Sequence, residues 1–341
     1  MSVITHEGLD DAVLSFAVEN LDIRGKVVRL CDNLNLILDR HAYPTPIARA
    51  LGEALVLTAL LGGILKDEGR FQLQTRTDGI ISMIVVDYES MTPIENQPSA
   101  KMRAYARFDE KALSDHSKQH LTTAFLLGKG VLGLTIEQGT QQARYQGVVE
   151  LNGQGFEEAA HQYFNQSEQI PTKIRLAVAE TYETTEDGST IHVFRAGGMM
   201  VQFLPMSVDR QRHVDLHPGD ARSDIHAATL HDEDDLWMEA TALTQTIEDH
   251  ELVDPTMGSE RLLYRLFHER GVKAYPALKL HELCRCSQER ILNMLASFPA
   301  DDVTAMRDDE GKIAITCEFC SRQYALSCEE VEAAIPKLVQ V

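Results

Sequence analysis

Apolar positions along the chain change period in a way that marks successive elements. Val27, Val28 and Leu30 make a strand-like run within residues 22–39, followed by a helical or extended apolar stretch. Thr45-Pro46 reads as an N-cap with proline at the first helical position. Residues 47–65 are then apolar on nearly every face, the pattern of a buried helix. Segments 71–77 and 80–88 flank Asp78-Gly79, a hairpin signature. Further strands are predicted at 101–108 and at 130–137, the latter returning across Gly139 as 144–151. A helix is predicted at 156–165, and 173–180 should pair with 190–195 across Asp187-Gly188.

Past Met206 the pattern breaks. Residues 206–228 are rich in Asp, Arg and His and poor in apolar positions, as in an exposed insertion or linker. Residues 231–254 hold nine carboxylates and no Lys or Arg, yet Leu236, Trp237, Met238, Leu243 and Ile247 recur near helical spacing. Such a helix has an apolar stripe but repels itself, so it needs a surface to dock on. Ser259 reads as the N-cap of a firmer helix bearing Leu262, Leu263, Leu266 and Phe267, with Gly271 as its C-terminal cap. In the tail, Ser287 can cap a helix through Ile291, Leu292 and Leu295. Strands are expected at 313–317 and 323–326, and Ser327 with Glu330 forms a capping box. The fold class expected is α+β. A mixed α/β unit spans 1–205, an acidic helical linker with an insertion 206–280, and a small cysteine-bearing unit 281–341.

Composition narrows the function. The chain has 341 residues, with 32 basic and 52 acidic side chains and a net charge of −20. Phosphate binding runs on clustered Lys and Arg, so neither nucleic acid nor an anionic membrane is an expected partner. No uninterrupted apolar stretch reaches membrane-spanning length, and the opening residues lack a basic segment followed by an apolar one. A cytoplasmic location is therefore expected.

Cys31 stands alone, whereas Cys284, Cys286, Cys317, Cys320 and Cys328 crowd the last fifth. Clustered cysteines in such a chain are metal ligands or redox groups more often than structural disulfides. Cys284-Arg285-Cys286 and Cys317-Glu318-Phe319-Cys320 bring four thiolates as two close pairs, a set that suits tetrahedral zinc. The tail has few large apolar residues, and a unit that small needs such a staple. Metal-bound thiolates stay deprotonated and are what oxidants attack, so oxidation would remove both the ligands and the folding energy they supply. The site reads as a switch. Cys31 reads as a buried structural thiol, Cys328 as incidental, and His281 as lying outside the ligand shell. His213, His217, His226 and His231 read as exposed loop histidines. A zinc-ribbon nucleic-acid module would use the same cysteines, but residues 281–341 carry six basic against eleven acidic side chains, which phosphate binding does not favour. A zinc hydrolase or deaminase would need an open coordination position, which four cysteines close, so no enzymatic activity is expected.

The cysteine pattern, together with 144–149 (RYQGVV), 163–172 (YFNQSEQIPT), Ala196-Gly197-Gly198 ending in Gln202-Phe203-Leu204-Pro205, and 286–290 (CSQER), resembles the 33-kilodalton heat-shock chaperonin family, the redox-regulated holdases. The resemblance covers almost the whole chain. It implies a helical linker folded over the N-terminal unit and a zinc-binding tail. Oxidation would form Cys284–Cys286 and Cys317–Cys320 disulfides, unfold tail and linker, and expose a surface for unfolding client proteins. The active form would be a homodimer working without ATP, in keeping with the lack of a GxxxxGK[ST] loop. Two features depart from the family pattern. Ser321 stands where glycine is common, and residues 206–228 look like extra length.

Overall fold

The computed structural model describes residues 10–63, 65, 69–94, 97–116, 118–138, 143–184, 188–203, 235–308, 311–327 and 329–331. The chain opens with β1 (Ala12–Val18), β2 (Ile23–Leu30), α1 (Asp32–Asp39) and α2 (Thr45–Gly62). It continues through β3 (Gly69–Thr77), β4 (Ile81–Ile94), β5 (Gln97–Phe108), α3 (Glu110–Asp115) and α4 (Thr123–Leu127). Next come β6 (Lys129–Gln138), β7 (Ala143–Asn152), α5 (Phe156–Tyr163), β8 (Thr172–Thr184) and β9 (Thr190–Phe203). Helices α6 (Asp235–Gln245), α7 (Asp249–Val253) and α8 (Ser259–Phe267) precede β10 (Lys273–Ala274) and β11 (Leu278–Glu282). The tail holds α9 (Gln288–Leu295), α10 (Ala300–Ala305), β12 (Lys312–Thr316) and β13 (Gln323–Ser327). The expected α+β class holds.

One large sheet runs β7-β6-β3-β4-β5-β11-β1-β2-β9-β8, with β10 added to β1, and β12-β13 form a separate ribbon. The three expected hairpins are the antiparallel pairs β3/β4, β6/β7 and β8/β9. Strand β1 and the short β10 and β11 are additions to the sequence reading. β11 lies parallel to β5 and antiparallel to β1, so it closes the gap between the two halves of the sheet. It also straddles the 280/281 division expected from the sequence.

Helix α2 covers one face. Leu51, Leu55 and Leu57 are buried with Leu73, Ile84 and Val86 of the sheet. By length and composition α2 could cross a bilayer, but 78% of it is buried inside the fold, which makes it the core helix. It starts one residue earlier than expected. Pro44 is the N-cap, Thr45 is already helical, and the helix stops at Gly62. The opposite face, over β1, β2 and β9, is covered by α6–α8. Leu236, Trp237, Leu243 and Ile247 all pack there with Phe16, Val201 and Phe203.

Within 231–254, the described residues 235–254 do not form one helix. Glu248 and Glu251 make a reciprocal capping box that ends the first segment and starts α7. Ser259 is not a cap either, because Gly258 takes that position and Ser259 is buried in the first turn. Helix α8 ends at Phe267, and Gly271, at φ 75°, turns the chain three residues after the His268 cap instead of forming it. The self-repulsion of the acidic segment is relieved by cations from outside it. Arg270 binds Glu239 at 2.7 Å, Arg265 binds Glu251 at 2.7 Å and Arg175 binds Asp249 at 2.6 Å. Residues 206–228, with their histidines, and 231–234 lie outside the described residues.

Candidate metal centre

The centre is assembled from two distant pieces. β11 leaves the large sheet at Glu282 and runs into Cys284-Arg285-Cys286, after which the Ser287 side chain accepts from Arg290 N at 3.2 Å and starts α9. The second piece is the turn between β12 and β13. Cys317 N donates to Arg322 O, and Ser321 N to Cys317 O, both at 2.9 Å. Ser321 sits at φ 55°, a left-handed conformation that glycine adopts without cost. That explains why glycine suits the position. Here Ser321 puts its hydroxyl to use on His41 Nδ1 at 3.1 Å.

The turn and the exit from β11 bring Cys284, Cys286, Cys317 and Cys320 together, with all four sulfurs within 4.8 Å of one another. Between the pieces, the Cys284 and Cys317 sulfurs are 3.7 Å apart and the Cys286 and Cys320 sulfurs 3.3 Å. Four converging, half-buried thiols can hold a metal ion. His281 lies in β11 outside this group, and Cys31 is buried at the start of α1 with Arg195 Nη1 3.2 Å from its sulfur. Cys328 lies outside the described residues.

As thiols, Cys286, Cys317 and Cys320 are inequivalent. Burial pushes Cys286 up, but hydrogen bonds from Tyr324 Oη at 3.2 Å and from neighbouring sulfurs outweigh it and bring it down to about 7. Burial raises Cys317 and Cys320. Cys286 is thus disposed to give up its proton before Cys317 and Cys320.

Sequence reasoning missed the groups that seat the centre on the sheet. Arg285, between two of the cysteines, binds Asp87 at 3.0 Å and Glu89 at 3.1 Å on β4. Arg103 of β5 binds the same Asp87 at 2.6 Å, and its guanidinium lies 3.8 Å over the Phe319 ring. Phe319 also meets Tyr105 edge-on at 4.8 Å. His41 donates from Nε2 to Phe319 O at 3.3 Å, and Arg40 binds Glu282 at 2.6 Å. Arg285, Phe319 and Glu282 sit near the cysteines in sequence; their partners come from up to 278 residues away, and pattern reading has no access to such contacts.

Residues 11–327 match a family model described as Hsp33 protein. The 33 kDa chaperonin of Caulobacter vibrioides (strain NA1000 / CB15N) is 40% identical over 321 residues, covering 93% of this chain and 95% of that one. The 33 kDa chaperonin of Proteus mirabilis (strain HI4320) is 30% identical over 321 residues, covering 94% and 95%. The crystal structure of the 33 kDa chaperonin (heat shock protein 33 homolog) from Thermotoga maritima is similar in fold, with a TM-score of 0.67 at 20% identity, covering 97% of this chain and all of that one.

Proposed function

The chain belongs to the Hsp33 protein family, and from that premise we propose that it is a redox-regulated, ATP-independent holdase that captures unfolding proteins under oxidative stress. The observation that carries this reading is the gathering of four cysteines, from segments about thirty residues apart, into one sulfur cluster seated on the large sheet.

The cluster fits zinc. Sulfurs about 2.3 Å from a tetrahedral centre stand about 3.8 Å apart; here Cys284–Cys317 is 3.7 Å, Cys286–Cys320 3.3 Å, and all four lie within 4.8 Å of one another. Zinc held by Cys284, Cys286, Cys317 and Cys320 would supply a cross-link and keep the sulfurs as thiolates. The tail needs that support, because its described core is only Ile291, Leu295, Val303, Ile313, Leu326 and Val331, with a few half-buried neighbours.

On exposure to a peroxide, Cys284 and Cys286 give up two electrons and form a sulfur–sulfur bond. The oxygen–oxygen bond breaks and, with two protons taken up from water because the thiolates carry none, the peroxide leaves as water and its second hydroxyl product. Cys317 and Cys320 do the same with a second peroxide molecule. The chain then has no thiolate donors left to retain zinc, residues 281–341 lose their staple, and the linker loses the support of its far end. Helices α6–α8 act as the cover, and the face beneath them, with Phe16, Val201 and Phe203, takes up unfolding clients. The oxidised form is a homodimer. The protein works in the cytoplasm, is not an enzyme, and has neither nucleic acid nor membrane as a partner.

The test is suppression of aggregation of a heat-unfolded client by reduced and by peroxide-treated protein, with zinc release followed in parallel. Holding activity should appear with zinc release. Zinc loss without holding activity would favour a zinc-ribbon module of another kind.

A further inference from the structure

Four thiolates around a divalent cation leave a net negative cluster, and in a chain of charge −20 such a cluster needs local cations to temper it. A thiolate whose lone pairs accept hydrogen bonds or face a fixed positive charge is a poorer nucleophile towards an oxidant. Among the described residues, Arg40, Arg103, Arg285 and Arg322 stand near the sulfurs. Arg285 and Arg322 belong to the cysteine segments themselves, and Arg40 is held by Glu282. Arg103 differs in coming from β5, on the opposite side of the contact.

Its guanidinium is held on three sides. Nε and Nη2 donate to Asp87 at 2.8 and 2.6 Å, the Phe319 ring lies 3.8 Å below, and Nη1 is left to face Cys284 Sγ at 4.0 Å. The side chain is 16% exposed, so solvent screens this charge weakly. We propose that Arg103 is a positioning residue of the redox centre, a fixed charge that the sheet lends to the cysteine cluster and that sets how fast the cluster is oxidised and how firmly it keeps its metal. Asp87 orients the guanidinium and at the same time offsets part of its charge.

This inference rests on the redox reading above, and its test separates the two. Wild-type protein loaded with zinc is treated with hydrogen peroxide, and thiol loss is followed by alkylation and mass spectrometry. Zinc transfer to a chromophoric chelator is measured separately without oxidant. Wild-type thiols that resist peroxide would overturn the redox reading itself. Given wild-type oxidation, Arg103→Gln should oxidise about tenfold faster and give up zinc faster. Arg103→Lys, which keeps the charge, should recover most of the difference. The decisive variant is Asp87→Asn. It removes the carboxylate that offsets both Arg103 and Arg285 but keeps a hydrogen-bond acceptor for them, so more positive charge faces the sulfurs and oxidation should be slower than in wild type. Were the contact only a mechanical tie, Asp87→Asn and Arg103→Gln would both speed oxidation. That result, or an Arg103→Gln rate equal to wild type, would overturn the proposal. Trp237 emission in each reduced variant reports whether the linker remains docked, and should one variant fail to fold, the others still give the sign.

Discussion

Gly197 of β9 lies so close under Leu252 of α7 that a Cβ at position 197 would stand 2.1 Å from the Leu252 carbonyl oxygen. That clearance lets the end of α7 settle onto two buried arginines. Arg29 donates to the carbonyls of Glu251, at 3.2 Å, and Asp254, and Arg195 Nε donates to Val253 O at 3.0 Å. The side chains of Arg29 and Arg195 are 2% and 3% exposed, with Asp10 bound to both. The linker is therefore clasped through its backbone carbonyls, which suits a segment too acidic to be held by side chains alone.

Gly197→Ala should lift α7 without touching the cysteines. The new methyl group has a backbone carbonyl in its way, so the cost should be about 1–3 kcal/mol of overpacking, concentrated in the linker contact. Trp237, which packs on Phe203 at 5.9 Å, should shift its emission to the red in reduced protein while zinc content stays at the wild-type value. An unshifted emission would mean that α7 does not govern the docking of α6.

Arg195→Met removes one half of the clasp and leaves Asp10 and the Val253 carbonyl short of a donor. Breaking a buried charge pair from one side costs about 3–5 kcal/mol. The urea midpoint should fall accordingly, and hydrogen exchange should rise first over residues 249–254. Uniform loss of protection across the sheet would place the role of Arg195 in the core instead of at the linker.

How far the sequence anticipates this structure depends on the range of the contacts involved. Hairpins such as β3/β4 and the Ser287 and Ser327 caps are set within a few residues, and they stand where the pattern puts them. The four cysteines were legible because their spacing is itself the signal. Strand β1 has a good apolar run, but its pairing with β10 and β11 depends on residues more than 250 positions away. The break between α6 and α7 escapes a periodicity reading because Leu243 and Ile247 keep the helical spacing across it; only the Glu248–Glu251 box reveals it. The seat of the cysteine cluster was not legible at all. Asp87, Arg103 and His41 look like ordinary polar positions until the fold brings Arg285 and Phe319 to them.

Ser321 offers a test of how the turn holds the second cysteine pair. At φ 55° a serine carries a backbone cost that its bond to His41 partly offsets. Ser321→Ala keeps the strain and loses the bond, whereas Ser321→Gly loses both. Ser321→Ala should therefore release zinc to a chelator faster than Ser321→Gly, with a difference in stability of about 1 kcal/mol. Equal release by the two variants would show that the backbone conformation at 321 has no influence on metal retention.

Lys26 gives the fold a pH dependence of its own. It lies on β2 near the end of α2, where a Cβ at Gly63 would be 3.2 Å from its Nζ, and that nitrogen is buried with no hydrogen-bond partner among the described residues. Burial, helped by nearby Arg24, pulls its pKa down from 10.5 to about 7. Between those two values the unfolded chain holds a proton that the fold does not, so stability rises with pH across that window. Below about 7 the fold must either bury the charge or open to hydrate it, and it carries the full cost. Lys26→Met removes the group from both states. The variant should be more stable than wild type by roughly 3–5 kcal/mol at pH 6, and the difference should shrink through pH 8 and 9 and close near pH 10.5. Urea midpoints of the two proteins across this range give the difference curve directly, and common titrations elsewhere in the chain cancel. Parallel curves would mean that Lys26 keeps its charge in the fold by reaching water, and a variant less stable than wild type at pH 6 would mean that the ammonium is held by contacts that stabilise it.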